Sequence, residues 1–147
     1  MEQTMFKGRK AVGGVVEGEA LVCPESIQGW AGIDDRAGII IEKGHSQEGQ
    51  NINGKILFVP CSKGSNGWSC HFHSAKRAGY APIGFVVTKM DSRAGVAAVV
   101  LDVPCVTDIE GADPCSIIKT GDWVRVDADN GTVQLIRKGG SHEAHGN

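Results

Sequence analysis

Lys55-Ile56-Leu57-Phe58-Val59-Pro60-Cys61-Ser62-Lys63-Gly64-Ser65-Asn66-Gly67-Trp68-Ser69-Cys70-His71 changes character at its centre. Up to Val59 the residues are apolar without alternation, as in a strand covered on both faces. From Pro60 to Cys70 they become small, polar and glycine-containing, which reads as a turn. His71 to Arg77 then reads as a helix, with Gly79 as its stop. A helix start leaves backbone N–H groups free, and those groups favour an anion. Hydroxyls in such a turn can bind or deprotonate a substrate. The plainer alternative is a helix cap, with Ser65 or Asn66 satisfying the first turn.

Working outward, the downstream chain repeats the apolar theme. Ile83 to Val87 is a second apolar strand, Val96 to Leu101 a third apolar run, and Pro104 to Val106 a fourth. Met90 to Ala94 reads as a short helical turn. Strand, helix and strand at this spacing imply a right-handed parallel crossover. The turn after Val59 then stands at the carboxyl end of a parallel strand, where ligands bind in open α/β sheets.

Both flanks read differently. Lys10 to Val16 is a strand broken at Gly13 and Gly14. Glu17-Gly18-Glu19 reads as a turn and Ala20 to Cys23 as a second strand, together an antiparallel hairpin that Pro24 ends. Ile39 to Ile41 is a short strand between two polar loops, Gln28 to Gly38 and Lys43 to Gln50. In the first loop Trp30 reads as packing. In the second, His45 is either a solvated side chain or a substrate contact. Near the end, Lys119 to Asp122 is a turn and Trp123 to Asp127 alternates as a half-exposed strand does. Asp129-Asn130-Gly131 reads as a type I′ hairpin turn leading into Thr132 to Ile136. The expected fold class is α/β, with a parallel central sheet and flanking antiparallel hairpins. One domain spans residues 1–138, and the polar tail 139–147 is expected to be disordered.

A chain of 147 residues is long enough for its own core. A net charge of -2 argues against nucleic acid or an anionic membrane as a partner held by charge. No apolar run approaches the roughly 20 residues that span a bilayer, and residues 1–7 contain no signal-peptide core, so a cytoplasmic location is expected. The five cysteines, Cys23, Cys61, Cys70, Cys105 and Cys115, form no CxxC pair, which argues against a zinc ribbon or thioredoxin site. They read as free, mostly buried thiols.

With these blocks in order, the chain resembles the small subunit, or swivel domain, of aconitase X, a divergent branch of the aconitase superfamily. Gly18-Glu19-Ala20-Leu21-Val22 is similar to an early family block, and Trp30-Ala31-Gly32-Ile33-Asp34 through Gly38 to a second. His45 through Gly49 is similar to a third, with Ser46 where proline is usual. Gly54 to Pro60 followed by Lys63-Gly64-Ser65 resembles the central strand and loop, and Ala81-Pro82 and Asp102-Val103-Pro104 resemble later positions. The likeness runs from about Lys10 to Val126.

The resemblance implies a swivelling β/β/α domain that shares a dehydratase active site with a large subunit. That partner would hold an iron–sulfur cluster or iron, and this chain alone would bind no metal. The resemblance implies that Ser65 is the base removing a proton next to a carboxylate. Lys63, Gly64, Asn66, Gly67 and His45 are then the substrate-binding candidates. An ordinary serine hydroxyl is a poor base, so its alkoxide needs cations or free N–H groups beside it. Ser62 and Ser69 rank below Ser65 by position. Asn66 to Cys70 departs from the family's serine-rich continuation, leaving Trp68 as either pocket wall or packing. Cys61 and Cys70 flank the loop without cluster spacing.

The implied substrate is a small hydroxy acid: cis-3-hydroxy-L-proline, or in the alternative mevalonate 5-phosphate. Lys63 is the loop's only cation, which leans toward the unphosphorylated proline. Two readings of another class compete. One is a phosphohistidine carrier using His71 or His73, and the other a non-catalytic interaction module.

Overall fold

The central apolar run forms a strand, Ile56–Val59, that lies in the middle of the sheet. The structure is a computed structural model that describes residues 5–23, 33–34, 39–41, 47–60, 79, 82–89, 98–99, 101–111 and 113–138. In chain order its strands are β1 (Met5–Lys7), β2 (Arg9–Val12), β3 (Val15–Val22), β4 (Ile33–Asp34), β5 (Ile39–Ile40), β6 (Ile56–Val59), β7 (Gly84–Val87), β8 (Cys105–Thr107), β9 (Trp123–Asp127) and β10 (Thr132–Arg137). A one-turn helix, Pro114–Ile117, separates β8 from β9.

The main sheet has the order β1-β10-β9-β3-β6-β7-β8-β2, and β4 pairs with β5 in a small separate ribbon. The end of β3 runs parallel to β6, β6 to β7 and β7 to β8. The start of β3 is antiparallel to β9, and β10 is antiparallel to both β9 and β1. The outermost members, β1 and β2, are one stretch of chain joined through Gly8, so the sheet closes on itself. Gly8 donates its N–H to the Gly131 carbonyl at 2.7 Å. A Cβ on Gly8 would run into the Thr107 carbonyl oxygen, and one on Gly131 would lie 2.6 Å from the Gly8 oxygen. Only glycines let these backbones meet at the seam.

Two apolar layers follow from the pleat. Ile56 and Phe58 of β6 point inward with Ala20, Val22, Val86, Val106, Val124, Val126 and Val133. Leu57 and Val59 point outward with Leu21, Phe85, Val87 and Cys105, and are covered by Ile40, Ile52, Ala98 and Leu101. β6 is therefore buried on both faces, which is why its sequence shows no alternation. β9 has one wet face, and its burial alternates with its sequence. The layering, sheet on sheet with helical residues such as Ala98 and Leu101 outside, is the expected β/β/α arrangement.

Several expectations are corrected. Glu17-Gly18-Glu19 is the middle of β3, not a turn, and no hairpin forms there. Gly18 gives room to Ile83, whose Cδ1 would lie 2.9 Å from a Cβ there. The break at Gly13 and Gly14 instead moves the chain from the edge beside β8 to the slot beside β9. The run at 96–101 holds helical residues, with Ala98 and Leu101 buried and Val99 70 % exposed. The hairpin turn between β9 and β10 has a positive φ only at Gly131, so it is not type I′. Asp127 holds it, accepting from the Asn130 backbone N–H at 3.2 Å and from Asn130 Nδ2 at 2.8 Å. β1, with Phe6 buried between two exposed residues, extends the sheet upstream of the expected first strand. The helices expected at 71–77 and 90–94, Trp30 and the tail lie outside the described residues. Among the described residues no helix is long and apolar enough to cross a membrane.

Candidate active site

Four parallel segments end level with one another. Val22 is in register with Phe58, Val59 with Val87, and Val87 with Thr107. The chain leaves this edge at Cys23, Pro60, Thr88 and Asp108. The β6–β7 ladder continues past the strand ends, since Thr88 donates its N–H to the Val59 carbonyl at 3.0 Å and Lys89 to that of Pro60 at 2.9 Å. Ile109 donates to the Thr88 carbonyl at 3.1 Å, tying the exit of β8 to that of β7. The point at which the 61–70 loop begins is thus fixed by backbone hydrogen bonds from its neighbour. Ser65, Lys63, Gly64, Asn66, Gly67, Ser62, Ser69, Trp68, Cys61 and Cys70 lie in that loop, outside the described residues. His45, His71 and His73 also lie outside them.

Three carboxylates around this edge are engaged. Asp108 sits 3.3 Å from Arg9. Asp113 caps the one-turn helix, accepting from the Cys115 N–H at 2.9 Å and from the Thr88 hydroxyl at 3.0 Å. Pro114, which needs no N–H partner, takes the first helical position. Asp122 is buried, accepts from the Lys119 N–H at 2.9 Å and lies 3.5 Å from Lys138 Nζ. Thr120 Oγ1 accepts from the Val22 N–H at 2.9 Å where the ladder stops. Thr107 Oγ1 is buried with no hydrogen-bond partner among the described residues.

The described thiols, Cys23, Cys105 and Cys115, are buried. Burial pushes the Cys105 thiol up to about 12. Cys115 is also pushed up to about 12, by burial first and then by the Asp113 charge, against a lowering hydrogen bond from Thr88. Thiols held protonated are poor nucleophiles and poor ligands. No group of three His, Cys, Asp or Glu among the described residues could hold a metal. These residues do not fit an iron–sulfur cluster.

What the described edge supplies is a rigid apolar platform with Thr88 and Lys89 beside the root of the loop. Sequence reasoning passed over both. Their only signal was position, immediately after an apolar strand.

Residues 5–135 match the family model for the aconitase X swivel domain. The phosphomevalonate dehydratase small subunit of Thermococcus kodakarensis is 38% identical over 134 residues, covering 91% of this chain and 98% of that one. The protein of the same name from Methanosarcina mazei is 34% identical over 134 residues, covering 91% and 92%. The crystal structure of Thermococcus kodakaraensis aconitase X in its holo-form aligns with a TM-score of 0.84 at 35% identity, covering 92% of this chain and all of that one.

Proposed function

This chain belongs to the aconitase X swivel-domain family, and on that premise we propose that it is the small subunit of a hydro-lyase that dehydrates mevalonate 5-phosphate together with a large subunit. The observation that carries this reading is the near full-length match to small subunits named for phosphomevalonate. It reverses the preference for cis-3-hydroxy-L-proline drawn from the loop sequence. The relatives carry dehydratase names, which favours this reading over a phosphohistidine carrier.

In this proposal Ser65 takes the proton from the carbon next to the carboxylate, and the hydroxyl group leaves from the adjacent carbon. A double bond forms, and proton and hydroxide depart together as water. The serine alkoxide needs positive charge or N–H donors close by. Lys63 supplies the charge and the Gly64, Asn66 and Gly67 N–H groups the donors. His45 joins them as a further substrate contact. The parallel sheet supports this role by pinning the loop root at Pro60.

The second reading keeps cis-3-hydroxy-L-proline as substrate, favoured by Lys63 being the only cation between residues 60 and 70. One assay separates them. The chain is co-purified with its large subunit and offered each substrate, with double-bond formation or water loss followed directly. The proposal expects the higher kcat/KM with mevalonate 5-phosphate and no turnover by this chain alone. Preference for the hydroxyproline overturns the substrate, and turnover by the isolated chain overturns the shared site.

A further inference from the structure

We propose that residues 5–12 form a detachable clasp, which one copy of this chain lends to a second copy by opening at Gly13 and Gly14. In the exchanged pair each clasp fills, on the other copy, the same two slots that it fills here on its own chain.

β1 lies along β10 and β2 along β8, with Phe6 opposite Val133 and Lys10 opposite Val106. The clasp therefore covers the outer edge of the antiparallel half and the outer edge of the parallel half at once. With the clasp lifted, β8 and β10 each present a row of unpaired N–H and C=O groups, a template for another strand. The strand that fits both edges in register is the same segment of a second copy, because every pairing the closed chain makes is open to it unchanged.

The clasp is lightly held. Of residues 5–12 only Phe6 is buried. Arg9 pairs with Asp108 at 3.3 Å, but its side chain is 78 % exposed, so the pair adds little. The remaining hold is backbone pairing along strands of three and four residues, with Gly8 bonded to Gly131 between them. A segment with one buried side chain belongs to the low end of local stability, where opening comes well before global unfolding. β6, buried at every residue, is the opposite case.

The turn that follows is built to open. Between Val12 and Val15 the chain passes from beside β8 to the slot between β9 and β6. Gly14 holds a φ of 120°, which suits glycine and strains any other residue. The turn is latched to the β9–β10 hairpin, Gly14 donating its N–H to Asp129 Oδ1 at 3.0 Å and accepting from the Ala128 N–H at 2.9 Å. Straightening Gly13 and Gly14 undoes the latch and carries the clasp away from its own body.

The test uses the full chain with Met5→Cys and Gln134→Cys, positions directly opposite each other in the β1–β10 ladder. Samples at about 1 mM, the range of intramolecular effective concentrations, are held in mild urea, returned to buffer, oxidised and run on non-reducing gels. The chain without the two added thiols is run beside them. Exchange joins the added thiols between chains and gives a covalent dimer that reductant dissolves, whereas a closed chain gives monomer. Gly14→Ala strains the closed turn and brings a Cβ 2.9 Å from Pro104 Cγ. It should raise the dimer-to-monomer ratio about tenfold. Asp129→Ala removes only the latch and should raise the ratio less, and it carries the test if Gly14→Ala does not fold by circular dichroism. A chain that stays monomeric in every sample overturns the proposal. So do dimers on size exclusion that run as monomers on the gel, or a ratio that neither hinge variant moves.

Discussion

In the antiparallel half, β9 and β10 bury Val124, Val126, Val133 and Leu135 on one face and leave Trp123, Arg125 and Gln134 at least partly open to water on the other. In the parallel half, β6 and β7 bury every residue. The turns of the antiparallel half are closed by their own side chains. Asp127 holds Asn130, and Asp129 accepts from the Gly14 N–H at 3.0 Å. At the edge of the parallel half, backbone groups tie one strand exit to the next, and polar side chains such as Lys89 and Thr107 stand without partners among the described residues. The difference divides the labour. The antiparallel half completes the inner core, while the parallel half ends in strand exits tied to one another by backbone hydrogen bonds.

The hardest test of that division lies in the loop. Ser65→Ala in the assembled enzyme should lower kcat by about 10²- to 10⁴-fold, the range for losing a positioned proton acceptor. Subunit assembly, read by size exclusion, should survive. A near-normal rate would break the claim that the parallel half carries the chemistry.

The next test concerns stability. Phe58 is fully buried in the inner layer, so Phe58→Ala should cost about 3–5 kcal/mol in urea denaturation. Gln134→Ala, on the open face of β10, should stay within about 0.5 kcal/mol. Similar losses at both sites would erase the contrast between a doubly covered strand and a singly covered one.

The two halves also differed in how far sequence revealed them. β6 and β7 were legible because burial on both faces leaves an unbroken apolar word. β9 was legible because one wet face leaves alternation. Residues 96–101 were misread because all of them are apolar, so the three-residue spacing of buried Ala98 and Leu101 is invisible around exposed Val99. Gly18 was misread because sequence does not distinguish a glycine that turns from one that makes room for Ile83. β1 was missed because three residues give too short a pattern for Phe6 to stand out. The candidate base came from resemblance to a family rather than from residue chemistry. Thr88 and Lys89 belong to no motif, and their placement depends on a pairing between β6 and β7 that only the fold supplies.

A third expectation follows from two of the buried thiols, one from each layer. Cys105 faces the outer layer and Cys115 the inner. Both are held protonated in the folded state up to about 12, against an ordinary value of 9.0. The unfolded chain therefore releases these protons first. Stability should be unaffected by them below pH 9 and should fall between pH 9 and 12. By pH 10 each thiol should withdraw about 1 kcal/mol. Denaturation midpoints at pH 8 and pH 10, compared between wild type and Cys105→Ala and Cys115→Ala, test this. A pH slope unchanged by either substitution would show that neither layer seals its thiol from solvent.

The smallest effect is the sharpest probe of the edge itself. Thr107 ends β8 in register with Val87 on one side and Arg9 on the other. Thr107 is 4 % exposed and its hydroxyl has no partner among the described residues. Leaving a buried hydroxyl unpaired costs about 1–3 kcal/mol, and a valine of the same shape avoids that cost. Thr107→Val should therefore stabilise the isolated chain by about 1 kcal/mol, seen as a higher urea midpoint at an unchanged slope. The sign is what matters, because most buried substitutions destabilise. A gain would mean that the parallel edge tolerates an unsatisfied polar group where the antiparallel half, with buried Asp122 paired to Lys138 and the Lys119 N–H, does not. A loss would mean that the Thr107 hydroxyl is bonded in solution, and the two halves would then be equally well satisfied.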